Sequence, residues 1–180
     1  MQSLRELYKI GRGPSSSHTM GPERACLYIK ELCPNADSFK AILYGSLALT
    51  GKGHCTDKAI AETLAPASVE IIFDTETPEK ELPHANTLDI IAYKDGSEIA
   101  RRRIMSIGGG DIRVEGVPEI EKPEIYTEKG FAEISAICKS ENIRLCDYVF
   151  CHEDENFRDF LYGVWRAMKK EINAGLTTTG

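Results

Sequence analysis

The chain lacks the features that place a protein on nucleic acid, in a membrane or outside the cell. Its 180 residues include 22 basic and 28 acidic side chains, a net charge of −6, whereas a nucleic-acid-binding surface normally presents a basic stripe. It contains no apolar run as long as a membrane span, and its first residues lack the apolar segment of a signal peptide. We therefore expect a cytoplasmic protein that binds neither nucleic acid nor a membrane.

The six cysteines also lack the spacing of a metal centre. No two of them form a C-x-x-C pair, so the sequence predicts no metal or cluster site within this chain. Cys26 and Cys33 fall on the apolar face of a predicted helix, and without an export signal reduced thiols are the better interpretation. The chain also has no G-x-x-x-x-G-K-[ST] pattern, which weakens the hypothesis of a phosphate-binding enzyme.

Hydroxyl groups and a histidine are concentrated near the N-terminus. Between two Gly-Pro pairs stand Ser15, Ser16, Ser17, His18 and Thr19. Pro22 suits the first turn of the amphipathic helix that follows. Free N–H groups and the positive end of the helix dipole favour an anion there. The alternative is a simple helix cap or a solvated loop.

A second stretch, residues 51–58, has the same construction. His54 lies on a Gly-containing loop directly before another predicted helix, with Thr56 as its predicted N-cap and Asp57 in its first turn. A single histidine is usually structural. Two histidines in such loops favour a small-anion site with acid–base capacity.

The pattern of the remaining chain predicts an α+β fold with a mixed, mostly antiparallel sheet packed with helices. An apolar stretch at 39–49 contains a strand that Gly45 and Ser46 interrupt, and strands are predicted at 69–74, 88–93 and 98–107. The Asp95-Gly96 pair between the last two is a hairpin signal. Residues 116–129 read as a loop, residues 131–138 as a short helix, and residues 157–172 as a longer one that Gly175 ends.

Two further clusters are candidates for contact with a ligand. The run 106–110 includes Ser106, Gly108 and Gly109, whose amides could form an anion-binding nest or only a turn. His84 and Asn86 precede a strand, where they could orient a substrate or close a turn.

These stretches together resemble the β chain, or N-terminal β domain, of the iron–sulfur-dependent L-serine dehydratases. The matching blocks are residues 13–19 with 21–22, 51–54 with 56–58, 84–87 and 106–110. The resemblance implies that residues 1–175 form this domain and that 176–180 begin a linker to a catalytic α domain. Cys55 departs from the family, which usually has glycine there, and we expect it to be tolerated.

The resemblance implies a fold similar to the allosteric substrate-binding domain of some phosphoglycerate dehydrogenases. It also implies β-elimination of L-serine to pyruvate and ammonia, as in serine catabolism and gluconeogenesis, by a homodimeric enzyme. A [4Fe-4S] cluster would be held by the α domain, not by this chain, and no pyridoxal phosphate is needed.

Site roles follow from the same resemblance. His54 is the leading base candidate, and His18 would orient substrate or handle the departing hydroxyl, although exchanged roles fit equally well. The substrate-binding set is Ser15, Ser16, Ser17, Thr19, Thr56, Asp57, His84, Asn86, Ser106, Gly108 and Gly109. The choice between serine and threonine stays open. The alternative function is a non-catalytic domain that senses serine or another small anion.

Overall fold

The computed structural model describes residues 1–119 and 121–179. The chain divides into two compact units. One is Gly11–Glu119, and the other combines Met1–Ile10 with the described residues after 120. None of the described helices is both long enough and apolar enough to cross a bilayer.

The unit Gly11–Glu119 is a five-stranded sheet with helices. Its helices are α1 (Gly21–Leu32), α2 (Gly45–Thr50) and α3 (Thr56–Leu64); its strands are β1 (Ser38–Tyr44), β2 (Ser68–Asp74), β3 (Thr87–Lys94), β4 (Ser97–Gly108) and β5 (Asp111–Val114). The strand order is β2-β1-β3-β4-β5. Only β1 and β2 pair in parallel; the other neighbours are antiparallel. The α+β class with a mixed, mostly antiparallel sheet is thus confirmed.

The core of this unit combines the period-two alternation of β1 with the continuously buried run at the start of β3. Phe39, Ala41 and Leu43 of β1 belong to the same buried cluster as Ile29 of α1 and Ile60 of α3. Burying an isoleucine or leucine contributes about 1.5–3 kcal/mol, so this layer of helices on a sheet is the main source of stability. It also anchors the starts of α1 and α3, where the candidate histidines lie.

Turn chemistry explains where the predicted boundaries hold and where they fail. Asp95 and Gly96 both have positive φ, 49° and 77°, as a two-residue hairpin turn requires, so this prediction is confirmed. The apolar stretch 39–49 is a strand only to Tyr44, because Gly45 at φ 52° turns the chain into α2. The short strand β5 was not predicted.

The second unit contains three helices: α4 (Phe131–Ser140), α5 (Leu145–His152) and α6 (Phe157–Thr177). The prediction that Gly175 ends the last helix is wrong, because α6 continues for two more residues to Thr177. Glycine tolerates helical angles when nothing forces a left-handed turn. The proposed linker start at 176–180 stays a prediction, and Gly180 lies outside the described residues.

The N-terminal residues belong to this second unit. The Met1 amino group donates to the Tyr126 carbonyl at 2.6 Å, and Gln2 forms an isolated antiparallel bridge with Glu124. His152 is followed by the acidic residues Glu153 and Asp154, a setting typical of a solvated side chain, but it is half-buried. Its ring lies against those of Tyr126 and Tyr148, with centroids 5.4 and 4.3 Å away.

Candidate functional site

The two predicted histidine loops meet in the structure. His18 lies in a π-helical turn, Ser16–Met20, that continues into α1. His54 ends a 3-10 turn, Gly51–His54, that precedes α3. Their ring centroids are 4.7 Å apart. The imidazoles therefore converge on one place although they come from separate helix starts.

Two threonines brace the loops against each other. The Thr19 hydroxyl donates to the His54 carbonyl at 2.8 Å, and the Thr56 hydroxyl donates to the His18 carbonyl at 2.5 Å. Both threonines are fully buried. Because a buried hydroxyl without a partner is costly, these reciprocal bonds hold the histidines together, and the geometry favours positioning over substrate contact for Thr19 and Thr56.

Ser15 is the N-cap of the Ser16–Met20 turn that carries His18. Its hydroxyl accepts the His18 N–H at 3.1 Å, as an N-cap side chain does, and lies 3.5 Å from the Ser17 hydroxyl. Ser16 is exposed. The N–H groups of Thr19 and Met20 donate to the Ser15 carbonyl, so the free amides of the described turn are those of Ser16 and Ser17, where an anionic ligand is favoured beside the hydroxyl groups.

His54 has one nitrogen fixed and one available. Its Nδ1 lies 3.0 Å from the Thr50 carbonyl oxygen. A carbonyl only accepts, so Nδ1 carries the proton and Nε2 carries the lone pair. Within the described parts of the chain, no hydrogen bond to this Nε2 is found. The half-buried ring is thus oriented as a base with its acceptor nitrogen unoccupied.

His18 differs from His54 because both of its ring nitrogens are engaged. Nδ1 lies 2.9 Å from the Ser17 hydroxyl and Nε2 lies 3.0 Å from the Ser46 hydroxyl. Burial lowers the pKa of His18, and the neighbouring His54 lowers it further, while the hydrogen bond with Ser46 opposes them. His18 is therefore held neutral near pH 7, which limits its repulsion of a protonated His54.

Ser46 is the site residue that sequence reasoning missed, since it was treated only as an interruption of a strand. It stands in the first turn of α2, and its N–H donates to the Ala85 carbonyl at 2.8 Å. A serine after a glycine at a helix start is a signal that could have singled it out. Gly45 is required there, because a Cβ at that position would lie 2.5 Å from the Ala85 oxygen.

A cleft of about 330 Å³ opens beside α2, and neither His18 nor His54 is among the residues that line it. Its wall includes Ser46 and Thr50, the hydrogen-bond partners of the two histidines, and the turn from Asp74 to Glu79. Hydrogen bonds from the Thr77 backbone and side chain lower the pKa of the Asp74 carboxyl, so this group is ionised at neutral pH. The cleft is therefore lined by hydroxyl groups and negative charge.

His84, Asn86 and Ser106 form a supporting group beside this cleft. The Asn86 N–H donates to His84 Nδ1 at 3.0 Å, and the Ser106 N–H donates to the Asn86 carbonyl at 2.9 Å. The Ser106 hydroxyl and Asn86 Oδ1 are buried and have no hydrogen-bond partner among the described residues. This group supports the loop whose Ala85 carbonyl holds Ser46; direct contact with a ligand stays a prediction.

The remaining predicted residues lie around the edge of the site. Gly108 and Gly109 belong to the β4–β5 turn and have positive φ, 100° and 59°, with open space where a Cβ would stand. Gly110 packs against Met20, since a Cβ there would lie 2.2 Å from the methionine sulfur. Asp57 accepts the Lys58 N–H at 2.9 Å, which supports the start of α3.

Cys55 occupies the position that Thr56 was expected to fill. It is the residue before α3 and has left-handed angles, φ 55° and ψ 31°, while the Thr56 side chain is turned to His18 instead of capping the helix. A left-handed residue is normally glycine because a Cβ crowds the backbone there. This explains why the resembling family has glycine at this point.

The described residues do not fit a metal cluster. No group of three or more histidine, cysteine, aspartate or glutamate side chains in the described ranges is arranged to hold a metal ion.

Fold and site together define an α+β domain in which two histidines from separate helix starts lie side by side. The profile of the family described as "Serine dehydratase beta chain" matches residues 3–79, and the chain is similar to this family over that range. It is 31% identical to L-serine dehydratase 1 of Escherichia coli K12 over 230 aligned positions, which cover 100% of the chain and 50% of the relative.

Other relatives agree. L-serine dehydratase of Streptomyces coelicolor is 28% identical, again with 99% of the chain and 50% of the relative covered. L-serine dehydratase of Helicobacter pylori J99 is 47% identical over 62 residues, 32% of the chain and 14% of that relative. The chain spans about half the length of the first two.

Proposed function

We propose that this chain supplies the acid–base half of an L-serine dehydratase, an L-serine ammonia-lyase that converts L-serine to pyruvate and ammonia. The observation that carries the proposal is the His18–His54 pair, in which one imidazole has a fixed tautomer with an available Nε2 and the other is held neutral. The match to the family model over residues 3–79 and the names of the relatives support the choice of substrate.

Each part of the site has a task in this reaction. The α-proton of serine is weakly acidic, so its removal needs a positioned base and a carboxylate whose charge is offset. We assign His54 Nε2 as the base. The free amides at the start of the Ser16–Met20 turn, with the hydroxyls of Ser15 to Ser17, would receive the carboxylate, and the negatively charged cleft would receive the ammonium group.

The electron and proton balance is then simple. His54 takes the α-proton, the C–H pair forms the Cα–Cβ double bond, and the hydroxyl leaves with its bonding pair. The proton on His54 returns to the departing hydroxyl as water. The resulting 2-aminoacrylate tautomerises to an imine, which water hydrolyses to pyruvate and ammonia. His18 stays neutral and, through Ser46, keeps the base region ordered.

The leaving hydroxyl needs an electrophile that this chain does not provide. We propose that a [4Fe-4S] cluster in the other half of the enzyme supplies Lewis-acid assistance to that group, so that no pyridoxal phosphate is required. The partners implied are L-serine, an α domain or chain and, by resemblance, a second copy of the assembled enzyme. A cytoplasmic location goes with this activity.

The test is an anaerobic assay of pyruvate formation from L-serine by this chain produced together with its catalytic half. Replacing His54 by glutamine should lower kcat by about 100- to 10,000-fold, because a general base contributes that much. His152→Gln is the matched control, since it removes a histidine of the other unit, and should keep full turnover. The chain alone should be inactive.

The outcomes separate the hypotheses. Normal turnover by His54→Gln with an altered response to added serine would favour the non-catalytic sensing domain. Turnover by the isolated chain would contradict the division of labour proposed here. A parallel assay with L-threonine decides the substrate preference.

A further inference from the structure

The last helix of the chain extends beyond the unit to which it belongs. From Met168 to Thr177 every residue of α6 is exposed. Ten helical residues correspond to about 15 Å of helix without packing contacts of their own. A helix of that length is only marginally stable in water without tertiary packing.

This part of α6 carries an apolar stripe at helical spacing. We call the four side chains Trp165, Met168, Ile172 and Leu176 the α6 stripe; their exposed fractions are 51%, 43%, 54% and 80%. They follow one another at intervals of three and four residues, so they lie on one face. A contiguous exposed face of large apolar side chains marks an interaction site.

The rest of this unit also has an incomplete core. Its buried cluster is small, centred on Tyr126, Ile134 and Tyr148. Phe131 at the start of α4 is 71% exposed and Leu145 at the start of α5 is 49% exposed. The unit Gly11–Glu119, by contrast, has a continuous buried cluster. The helices after residue 120 thus present apolar surface that another polypeptide must cover.

We propose that the α6 stripe docks into an apolar groove of the catalytic half of the dehydratase, where it completes a shared core. This rests on the proposed function. The relatives extend for about as much sequence again as they share with this chain, which provides an occupant of sufficient size. The chain has a net charge of −6, but the helical spacing places the basic Lys169 and Arg166 along one edge of the stripe and the acidic Glu171 beyond the other edge.

These charges distinguish the two obvious occupants. An antiparallel pair of α6 helices packed stripe to stripe would bring the Lys169 and Arg166 edges of both copies together, and like charges across a helix pair are unfavourable. A partner whose groove has a carboxylate rim would be attracted instead. The geometry points to a heterologous partner with an apolar floor and an acidic rim.

The experiment uses the enzyme assembled from this chain and its catalytic half. Trp165 is the only tryptophan in the chain, so labelling the chain alone with 5-fluorotryptophan gives one ¹⁹F signal from the stripe. We expect that signal to be protected from a soluble paramagnetic quencher in the assembled enzyme and accessible in the chain alone. A signal that stays accessible after assembly would overturn the proposal.

A pair of variants supplies the second measurement. Ile172→Glu places a charge in the stripe and should weaken association by about 100-fold, since it buries an unpaired carboxylate. Ala174→Glu adds the same charge two positions away on the opposite face and should associate normally. Far-UV circular dichroism verifies that both variants are folded, and light scattering measures their association. Equal association of the two variants would refute the docking surface.

The result is separable from that of the activity test. Loss of association in Ile172→Glu together with full turnover by His54→Gln would support docking and reject the catalytic assignment. Normal association of Ile172→Glu together with lost turnover by His54→Gln would reject the docking proposal and leave the catalytic assignment standing. A homodimer of the isolated chain that Ile172→Glu abolishes would show that a second copy covers the stripe, which contradicts the proposed occupant.

Discussion

Gly21 offers a sharp test of how the histidine turn is held on the sheet. It is the first residue of α1, directly after the turn that carries His18. A Cβ there would lie 2.0 Å from the Ser106 hydroxyl oxygen and 2.7 Å from the Ser106 Cβ. Both residues are buried, so neither side chain can rotate into solvent. Gly21→Ala therefore forces α1 away from β4.

The size of the effect follows from two opposing contributions. Overpacking of a buried contact costs about 1–3 kcal/mol. Alanine in place of glycine in a helix returns about 0.8–1 kcal/mol, and Gly21 has helical angles, φ −61° and ψ −53°. We expect a net loss of about 0–2 kcal/mol in the free energy of unfolding, measured by urea denaturation with far-UV circular dichroism, and a lower kcat in the assembled enzyme.

Two variants make this reasoning refutable. Ser106→Gly removes both atoms that the new Cβ would meet, so the double variant should recover at least about 1 kcal/mol relative to the sum of the single changes. Gly53→Ala, in the turn that carries His54, has no atom within 4 Å of the added Cβ and should leave stability nearly unchanged. If the double variant is merely additive, the contact does not determine the packing of this turn.

The remaining predictions concern the left-handed residue and the neutral histidine. Cys55→Gly should stabilise the chain by about 0.5–1 kcal/mol, because the relief of about 1–2 kcal/mol of left-handed strain exceeds the entropic cost of ordering a glycine. Cys55→Ala keeps the Cβ and is the control. An equal gain in stability from Cys55→Ala in urea denaturation would reject this account. Since folding lowers the pKa of His18, this imidazole is protonated at a higher pH in the unfolded chain than in the folded chain. The free energy of unfolding should therefore fall as pH drops below about 6.5. His18→Gln should flatten the urea midpoint between pH 7 and 5, and an unchanged slope would contradict the assigned burial.

Much of the fold could be predicted because its signals are local. The Asp95-Gly96 hairpin needs two left-handed residues, which this pair supplies, and a strand lies on either side of it as predicted. The end of β1 was harder: Leu47 to Leu49 are apolar in either a strand or a helix, and only the left-handed angles of Gly45 decide for the helix. Gly175 misled because glycine ends a helix only where the next residues favour a turn.

For the candidate site too, some features could be predicted from local sequence and others could not. The sequence alone determined that two histidines stand at helix starts among hydroxyl groups, because capping and turn preferences act within a few residues. Only the tertiary structure decided that Thr19 and Thr56 each donate a hydrogen bond to the opposite histidine loop. It also decided that the Ser46 hydroxyl bonds to His18 Nε2 and that His54 Nε2 has no hydrogen-bond partner among the described residues. Those contacts join residues distant along the chain, and they exist because the buried sheet fixes the starts of α1, α2 and α3 side by side.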